Sequence, residues 1–250
     1  QIELFFRFLK RNRFCPKKMK ANYSNTSKTA ILLFAQSEDR ESVSKPIAFQ
    51  KSKNVLIWKK MNERVLKTIQ KTKLQYFHSN ETNQLGASFG EKLTNAILQL
   101  FNKGFEKVIV IGNDCPELKS HHLIETATRL SKNDFVLGAN YNGGAYLIGV
   151  TKSALNLEDF KTIKWQTAAV FNELKILSQK NTLAVLPSFN DCNTASDLKK
   201  IVPKLSFLDR LKHVILLLFR NNAPINRYEI PFFTTKISSL NFNKGSPHSF

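Results

Sequence analysis

The feature that most constrains the fold is an alternation of short apolar runs with longer segments whose apolar residues recur every three or four positions. The runs at 29–35 and 107–111 are almost continuously apolar, as in strands that are covered on both faces of a parallel sheet. Residues 89–101 show helical spacing, and Gly104 follows where a C-terminal cap is favoured. This alternation predicts right-handed βαβ crossovers and a largely parallel sheet.

The same patterns predict most of the remaining elements. Further strands are expected over 74–77, 135–137, 145–150 and 183–186, and further helices over 55–69, 120–130 and 167–177. Ser120 is expected to cap one of these helices, and Pro187 to end the last strand. Thr194 is predicted to cap a short helix, with Asp197 at the third helical position. Residues 36–46 are expected to form a loop.

The chain length predicts one substantial domain with extensions at both ends. The 250 residues are enough for one real core but short for two equal domains. We predict a basic extension over 1–28, an α/β domain over 29–200, and an amphipathic helix with an irregular tail over 201–250. The apolar face of that helix is expected to pack on the domain or on a second subunit, which would make a homodimer.

Composition limits the setting in which the chain works. Three cysteines give no disulfide framework, and the longest apolar stretch near the end, 214–219, is far short of the roughly 20 residues that span a bilayer. Residues 2–9 lack the pattern of a secretory signal. The sequence therefore predicts a cytoplasmic protein without a transmembrane segment.

The formal net charge is +19, which favours anionic partners. The lysines are scattered rather than set in one stripe interleaved with aromatic residues. We therefore expect a solvated basic surface and no nucleic-acid partner. Nucleic-acid binding stays a third alternative, and it would show as a steeply salt-dependent affinity.

The strongest candidate for chemistry is Asp114. It lies in the segment 112–116, with the sequence GNDCP, directly after an apolar strand. Open α/β sheets bind their ligands beyond the carboxyl ends of strands, and a carboxylate beside substrate phosphates is the usual anchor for Mg²⁺ or Mn²⁺. We predict that Asp114 holds such an ion; the alternative is an aspartate that caps the following turn.

Two further segments are expected at the same edge of the sheet. Residues 142–144, with the sequence NGG, can let the backbone approach a ligand or can form an ordinary tight turn. Residues 191–194, with the sequence DCNT, bring Asp191 or Asn193 to the edge or simply cap a helix. Cys115 and Cys192 flank the site and are expected to be small buried packing residues.

The order of these motifs resembles that of the short bacterial glycosyltransferase-A proteins of undefined function. Those proteins are relatives of phospholactate guanylyltransferase and of the molybdenum-cofactor nucleotidyltransferases. The resemblance covers about residues 29–200. It is carried by QLGASFGEKL at 84–93, VIVIGNDCPEL at 108–118, VLG at 136–138, NGGAYLIG at 142–149, IKWQT at 163–167 and DCNTASDL at 191–198.

This resemblance implies a three-layer, Rossmann-like, mostly parallel sheet of the nucleotide-diphospho-sugar transferase type. It also implies a nucleotide over the amino-terminal half and Mg²⁺ or Mn²⁺ at Asp114, with Asn193 as a second ligand. The residues predicted to bind substrate are Lys45, Gln84, Asn113, Asn142, Gly143, Gly144 and Trp165.

The sequence also departs from the family pattern. Asparagine or serine replaces family aspartates at Ser88, Asn142 and Asn193, and a site with fewer charges holds a hard cation more weakly. The loop after the first strand has no glycine to present consecutive amides to a pyrophosphate, although Lys45 or Arg40 can supply a cation.

The leading hypothesis is a metal-dependent glycosyltransferase that uses a nucleotide-diphospho-sugar donor and an unknown acceptor. The first alternative is transfer of a nucleotidyl group to a phosphorylated acceptor, which needs the missing glycine-rich loop most. The second is a non-catalytic descendant that keeps the fold and binds a nucleotide or a partner protein.

Overall fold

The computed structural model describes residues 28–220, which are organised around one six-stranded sheet. In spatial order the strands run β2-β1-β3-β5-β4-β6; β5 is antiparallel to both of its neighbours, and the remaining neighbouring pairs are parallel. The predicted mostly parallel sheet is confirmed. The strands are β1 (Thr29–Phe34), β2 (Gln75–Ser79), β3 (Lys107–Ile111), β4 (Phe135–Asn140), β5 (Ala145–Thr151) and β6 (Leu183–Phe189).

Helices cover both faces of the sheet and produce three layers. One apolar core lies between the sheet and α3, α5 and α6, and includes Ile97 and Phe160. A second core lies on the other face beneath α2 and α4, and includes Ile69 and Leu123. The helices are α1 (Glu38–Ser44), α2 (Lys51–Gln70), α3 (Phe89–Asn102), α4 (Ser120–Arg129), α5 (Leu157–Thr162), α6 (Val170–Leu177), α7 (Ala195–Ile201) and α8 (Arg210–Arg220).

The prediction of a loop over 36–46 was wrong, because most of this segment folds into α1. The side chain of Ser37 caps the helix by accepting a hydrogen bond from the amide of Arg40. Three acidic residues then lie in the first turn, where the helix dipole favours negative charge. The amides of Arg40 and Glu41 are thus bonded to Ser37 within the segment, and the amide of Ser37 donates to the carboxylate of Glu81.

Three smaller predictions also need correction. Strand β6 continues through Pro187, because β6 lies at the edge of the sheet, where a missing amide is tolerated. Helix α5 was not predicted; Asn156 caps it by accepting from two amides of its first turn. Ser120 is the first residue of α4 rather than its cap, which is Lys119.

Helix α8 lies within the segment predicted to be an amphipathic helix. Its buried residues Leu211 and Ile215 join a third apolar cluster with Trp58 and Met61 of α2. The helix thus packs on the domain, and the homodimer stays a prediction. Between residues 28 and 220, no helix has the length and apolar character that a membrane crossing requires. Residues 1–27 and 221–250, which include most of the predicted extensions, lie outside the described residues.

Candidate functional site

A cavity of about 860 Å³ opens at the carboxyl ends of β1, β3, β4 and β6. Its walls come from segments that are far apart in the sequence, as expected for an open α/β sheet. Gly143 does not line it. The predicted site residues that do are Lys45, Gln84, Asn113, Asp114, Asn142, Gly144, Trp165 and Asn193.

Asp114 is paired with the ammonium group of Lys45. The distance from Lys45 Nζ to Asp114 Oδ2 is 2.7 Å, and Glu41 Oε2 lies 3.8 Å from the same nitrogen. Burial alone would lower the pKa of Lys45, but the negative charges of Asp114 and Glu41 outweigh it and raise that pKa. Lys45 therefore stays charged at physiological pH and places a fixed cation on the predicted metal ligand.

Trp58 holds Lys45 in this position through two contacts. The ammonium group lies 5.5 Å from the centre of the Trp58 ring, within the range of a cation–π contact. The indole Nε1 donates a hydrogen bond of 3.1 Å to the backbone carbonyl of Lys45. Trp58 is fully buried in the third apolar cluster, so the lysine rests on a rigid support.

Asp191 is a second carboxylate in the cavity, and sequence reasoning did not select it as a site residue. It is only 7% exposed. Its Oδ2 accepts a hydrogen bond from Asn140, whereas its Oδ1 is buried and has no hydrogen-bond partner among the described residues. Burial and the negative charge of Asp114 raise its pKa to about 7. The motif DCNT was the only sequence signal for this residue.

Asn140 organises the edge of the cavity and was also missed. Its side-chain amide donates to Asp191, and its Oδ1 accepts from the amides of Asn142 and Gly144 over 3.0 and 2.6 Å. One side chain therefore fixes both the NGG turn and the orientation of the buried carboxylate. The asparagine directly ends β4, so strand pairing positions it.

Gly143 is required by packing inside the protein rather than by a ligand. Its φ is +83°, and a Cβ atom there would lie 2.1 Å from the carbonyl oxygen of Ala168. Its own carbonyl accepts a hydrogen bond of 2.9 Å from the amide of Phe171. We predicted that the paired glycines let the backbone come close to a ligand. At Gly143 the backbone instead comes close to the segment that leads into α6.

Three other predicted residues differ in whether their side chains are already hydrogen-bonded within the protein. Asn113 is buried and donates over 2.8 Å to Asn62, so its amide positions the Asp114 loop. Gln84 donates to the carbonyl of Ser79 over 3.2 Å. Within the described part of the chain the side chain of Asn193 makes no hydrogen bond, which leaves its oxygen available to a ligand.

Ser88, where the resemblance led us to expect an aspartate, has a structural role. Its hydroxyl accepts from the amide of Glu91, whose carboxylate accepts in return from the amide of Ser88, and this capping box begins α3. Aspartate and serine cap helices about equally well. The replacement therefore removes one charge near the cavity without weakening the helix start.

Aromatic rings form one wall of the cavity. Phe89 contacts Phe34 edge to face with 5.4 Å between ring centres, and Trp165 lies 5.6 Å from Phe89. The indole nitrogen of Trp165 donates to the carbonyl of Phe160 over 3.1 Å, which fixes the ring plane. The cavity thus combines an aromatic wall with a cluster of charged groups.

Cys115 and Cys192 are buried free thiols. Burial raises the pKa of both, so neither is a reactive thiolate at neutral pH. The prediction that they are packing residues agrees with these surroundings. Cys15 lies outside the described residues.

The oxygen donors of the cavity fit a hard divalent cation. Asp114 and Asp191 supply carboxylates, one with an unpaired buried oxygen, and Asn193 supplies a free amide oxygen. Mg²⁺ and Mn²⁺ are commonly held by one or two carboxylates together with substrate phosphates. Among residues 28–220 there is no group of three or more histidine, cysteine, aspartate or glutamate side chains that could hold a metal ion. The protein alone therefore offers an incomplete set of ligands.

Comparison with solved structures defines the class of fold. A protein from Desulfovibrio desulfuricans G20, provisionally named a nucleotide-diphospho-sugar transferase, superposes with a TM-score of 0.68 at 17% sequence identity. The match covers 78% of this chain and 98% of that one. The three-layer sheet is thus of the nucleotide-diphospho-sugar transferase type, as the resemblance implied.

The family follows from the sequence match. Residues 40–167 match the family DUF2064, described as an uncharacterized protein conserved in bacteria, and the chain belongs to this family. A search of curated proteins found no match.

Two more distant structures share less of the fold. A cytidylyltransferase from Leptospira borgpetersenii has a TM-score of 0.43 at 14% identity, with 78% of this chain and 95% of that one covered. A Mycobacterium tuberculosis protein in complex with manganese has a TM-score of 0.44 at 7% identity, with 71% and 99% covered.

Proposed function

We propose that this protein is a metal-dependent transferase that binds a nucleotide-diphospho-sugar in the cavity and transfers the sugar to an acceptor. The observation that carries the proposal is the unpaired, buried Oδ1 of Asp191 in the cavity that Asp114 also lines. A buried carboxylate oxygen without a partner costs free energy, so a ligand that supplies a cation there is favoured.

The two parts of the cavity suit the two parts of a nucleotide. The rings of Phe89 and Trp165 offer a surface on which a base can stack. Lys45, Asp114 and Asp191 provide the charges that a diphosphate with its metal requires. The cavity volume of about 860 Å³ lies within the range of small-molecule and cofactor sites.

The residues around Asp191 would act mainly by positioning. A divalent cation bound by Asp114, Asp191 and Asn193 would neutralise charge that develops on the leaving diphosphate. Asn140 holds the Asp191 carboxylate in place, and Trp58 holds Lys45 near the same charge. Groups fixed in this way lower a barrier without reorganising during the reaction.

The first segment after β1 favours a diphosphate over a triphosphate. The first turn of α1 carries three acidic residues, and one of them, Glu41, is buried beside Lys45. Their negative charges would repel a third phosphate. Nucleotidyl transfer from a nucleoside triphosphate remains the second candidate, because the same carboxylates and lysine serve both reactions.

The reaction products distinguish these candidates. The purified protein is incubated with Mn²⁺ and with panels of nucleotide-diphospho-sugars and nucleoside triphosphates, each with and without cell extract as a source of acceptor. Release of a nucleoside diphosphate supports glycosyl transfer, and release of pyrophosphate supports nucleotidyl transfer.

Binding is tested separately by thermal unfolding with each nucleotide. Asp114→Ala is the test variant. Asp39→Asn is the matched control, because Asp39 is exposed and lies outside the cavity lining. Metal-dependent stabilisation that Asp114→Ala abolishes and Asp39→Asn keeps supports the site; a ligand at 100 times its Kd adds about 2.7 kcal/mol. Stabilisation without any turnover indicates a non-catalytic nucleotide-binding protein, and no stabilisation by any nucleotide contradicts the proposal.

A further inference from the structure

A second concavity, of about 470 Å³, shares no residue with the cavity described above. We call it the basic groove. It lies between α2, the start of α4 and the start of α8. The cations among its lining residues are Lys60, Arg64, Lys67, Lys71, Lys119 and Arg210.

The basic groove carries a strong excess of positive charge. Six lysines and arginines face two carboxylates, a difference of four before His121 is counted. Glu63 forms an ion pair with Lys60, with 2.8 Å between Lys60 Nζ and Glu63 Oε2, and Asp209 forms an ion pair with Arg64. Within residues 28–220, the other four cations form no ion pair: Lys67, Lys71, Lys119 and Arg210.

The spacing along α2 places four of these cations on one side of the helix. Lys60, Arg64, Lys67 and Lys71 follow each other at intervals of four, three and four residues. Residues three or four apart are neighbours on a helix surface, so like charges repel one another there. An anion between them relieves this repulsion, and a concave wall of one sign concentrates anions.

Arg64 is held in place by two contacts inside the protein. Its Nε donates over 2.9 Å to the carbonyl of Pro116, and its Nη1 pairs with Asp209. It is only partly exposed, so its side chain loses little freedom when an anion binds. Pro116 is two residues from Asp114, so the arginine also supports the loop that carries this carboxylate.

We propose that the basic groove binds a soluble oligophosphate anion, meaning a chain of two or three linked phosphates, at a site separate from the transferase cavity. Four unpaired cations on three walls fit a ligand with several negative charges better than they fit a single carboxylate. Apart from His121 the lining contains no aromatic ring on which bases could stack. This proposal does not depend on the proposed function.

The test is calorimetric titration with inorganic tripolyphosphate in the presence of a metal chelator. The variant is Lys67→Gln/Lys71→Gln. The matched control is Lys152→Gln/Lys180→Gln, two exposed lysines that line neither concavity. A third variant, Lys45→Gln, alters the transferase cavity and so shows whether the anion binds there. We expect one tight site in the wild type, at least tenfold weaker in Lys67→Gln/Lys71→Gln and unchanged in the other two.

Three results would overturn the proposal. Loss of binding in Lys45→Gln alone would place the anion in the transferase cavity. An equal, small weakening in both double variants would indicate general attraction to a basic protein. Binding to vesicles that contain phosphoinositides, without binding of free tripolyphosphate, would identify a lipid surface as the partner. Thermal unfolding of each variant verifies that it is folded.

Discussion

The backbone amide of Cys192 donates a hydrogen bond of 2.7 Å to the backbone carbonyl of Asp114. These residues follow β6 and β3, which are separated in the sheet by β4 and β5. Three strand spacings amount to roughly 14 Å, so both loops must lean over the intervening strand ends to meet. This contact brings Asp191, the neighbour of Cys192, toward Asp114, whose negative charge adds to burial in raising the pKa of Asp191.

The first prediction concerns competition between Lys45 and a metal ion for Asp114. Replacing Lys45 with glutamine removes a cation 2.7 Å from Oδ2, so Mn²⁺ should bind at least tenfold more tightly without nucleotide, equivalent to about 1.4 kcal/mol. The measurement is a calorimetric Mn²⁺ titration. Lys92→Gln is the control, because Lys92 lines the cavity without pairing to Asp114. Unchanged affinity in Lys45→Gln would show that the metal does not use this carboxylate.

The second prediction concerns the pH dependence of stability. Burial and Asp114 raise the pKa of Asp191 from its ordinary value of 3.8 to about 7. Between these values the folded state binds more protons than the unfolded state, so this group's contribution to the free energy of unfolding decreases as pH rises from about 4 to about 7. Asp191→Asn, which cannot titrate, should lose this dependence. The measurement is urea denaturation across this pH range.

The control for that experiment is Asp39→Asn, which should keep the wild-type pH profile. Identical profiles for wild type and Asp191→Asn would mean that Asp191 is ionised in the folded protein throughout this range. A metal titration over the same pH values adds an independent check, because a carboxylate must lose its proton before it binds a cation. Affinity should therefore rise up to about pH 7 and then level off.

The third prediction separates Asn140 from Asn142. Asn140→Ala leaves Asp191 and two turn amides without their partner, so it should reduce the free energy of unfolding by about 1–3 kcal/mol. Asn142 is exposed, and Asn142→Ala should change stability by less than about 0.5 kcal/mol. Chemical denaturation measures both. Equal losses would mean that the Asn140 side chain does not organise this edge.

The fourth prediction tests the aromatic wall. If a base stacks on this wall, Trp165→Leu should weaken nucleotide binding about tenfold, since base–aromatic stacking contributes roughly 1–3 kcal/mol. Phe207→Leu is the control, because Phe207 is 77% exposed and lies outside the cavity. Nucleotide should also quench the fluorescence of the wild-type protein. Equal affinity in wild type and Trp165→Leu would place the base elsewhere.

The fifth prediction is that Gly143→Ala destabilises the protein. A Cβ atom would lie 2.1 Å from the Ala168 carbonyl in a backbone conformation that disfavours side chains. We expect a loss of more than about 1 kcal/mol in denaturation experiments. Gly104→Ala is an informative comparison: it has a similar positive φ but open space around it, so it should cost less. A larger loss at Gly104 would contradict this account.

Local sequence patterns predicted most of the elements because their causes are local. The apolar run of β3 and the capping box at Thr194 depend on residues within a few positions of each other. Some local signals were still overlooked, such as the caps Ser37 and Asn156, whereas the prediction that Pro187 ends a strand failed for a reason that lies outside its segment. Pro187 remains in a strand because β6 is at the sheet edge, which strand order alone decides.

The candidate site was predicted in part for the same reason. Asp114 could be selected because it directly follows a recognisable strand, and several other selected residues do line the cavity with it. Their roles in binding stay predictions. Asn140 was missed, and Asp191 was named as a residue that could reach the edge but was not selected, because an ordinary aspartate or asparagine in a turn becomes distinctive only through burial and its partners.

The sequence by itself determined the alternation of strands and helices, the type of sheet and the placement of Asp114 after β3. Only the tertiary structure decided that Lys45 rests on Asp114, that Asp191 is buried with one free oxygen, and that α2 and α8 enclose the basic groove. The physical reason is the distance along the chain over which each interaction acts. Periodicity and capping act between neighbours in the chain, whereas burial, charge pairing and cavity shape depend on residues that only folding brings together.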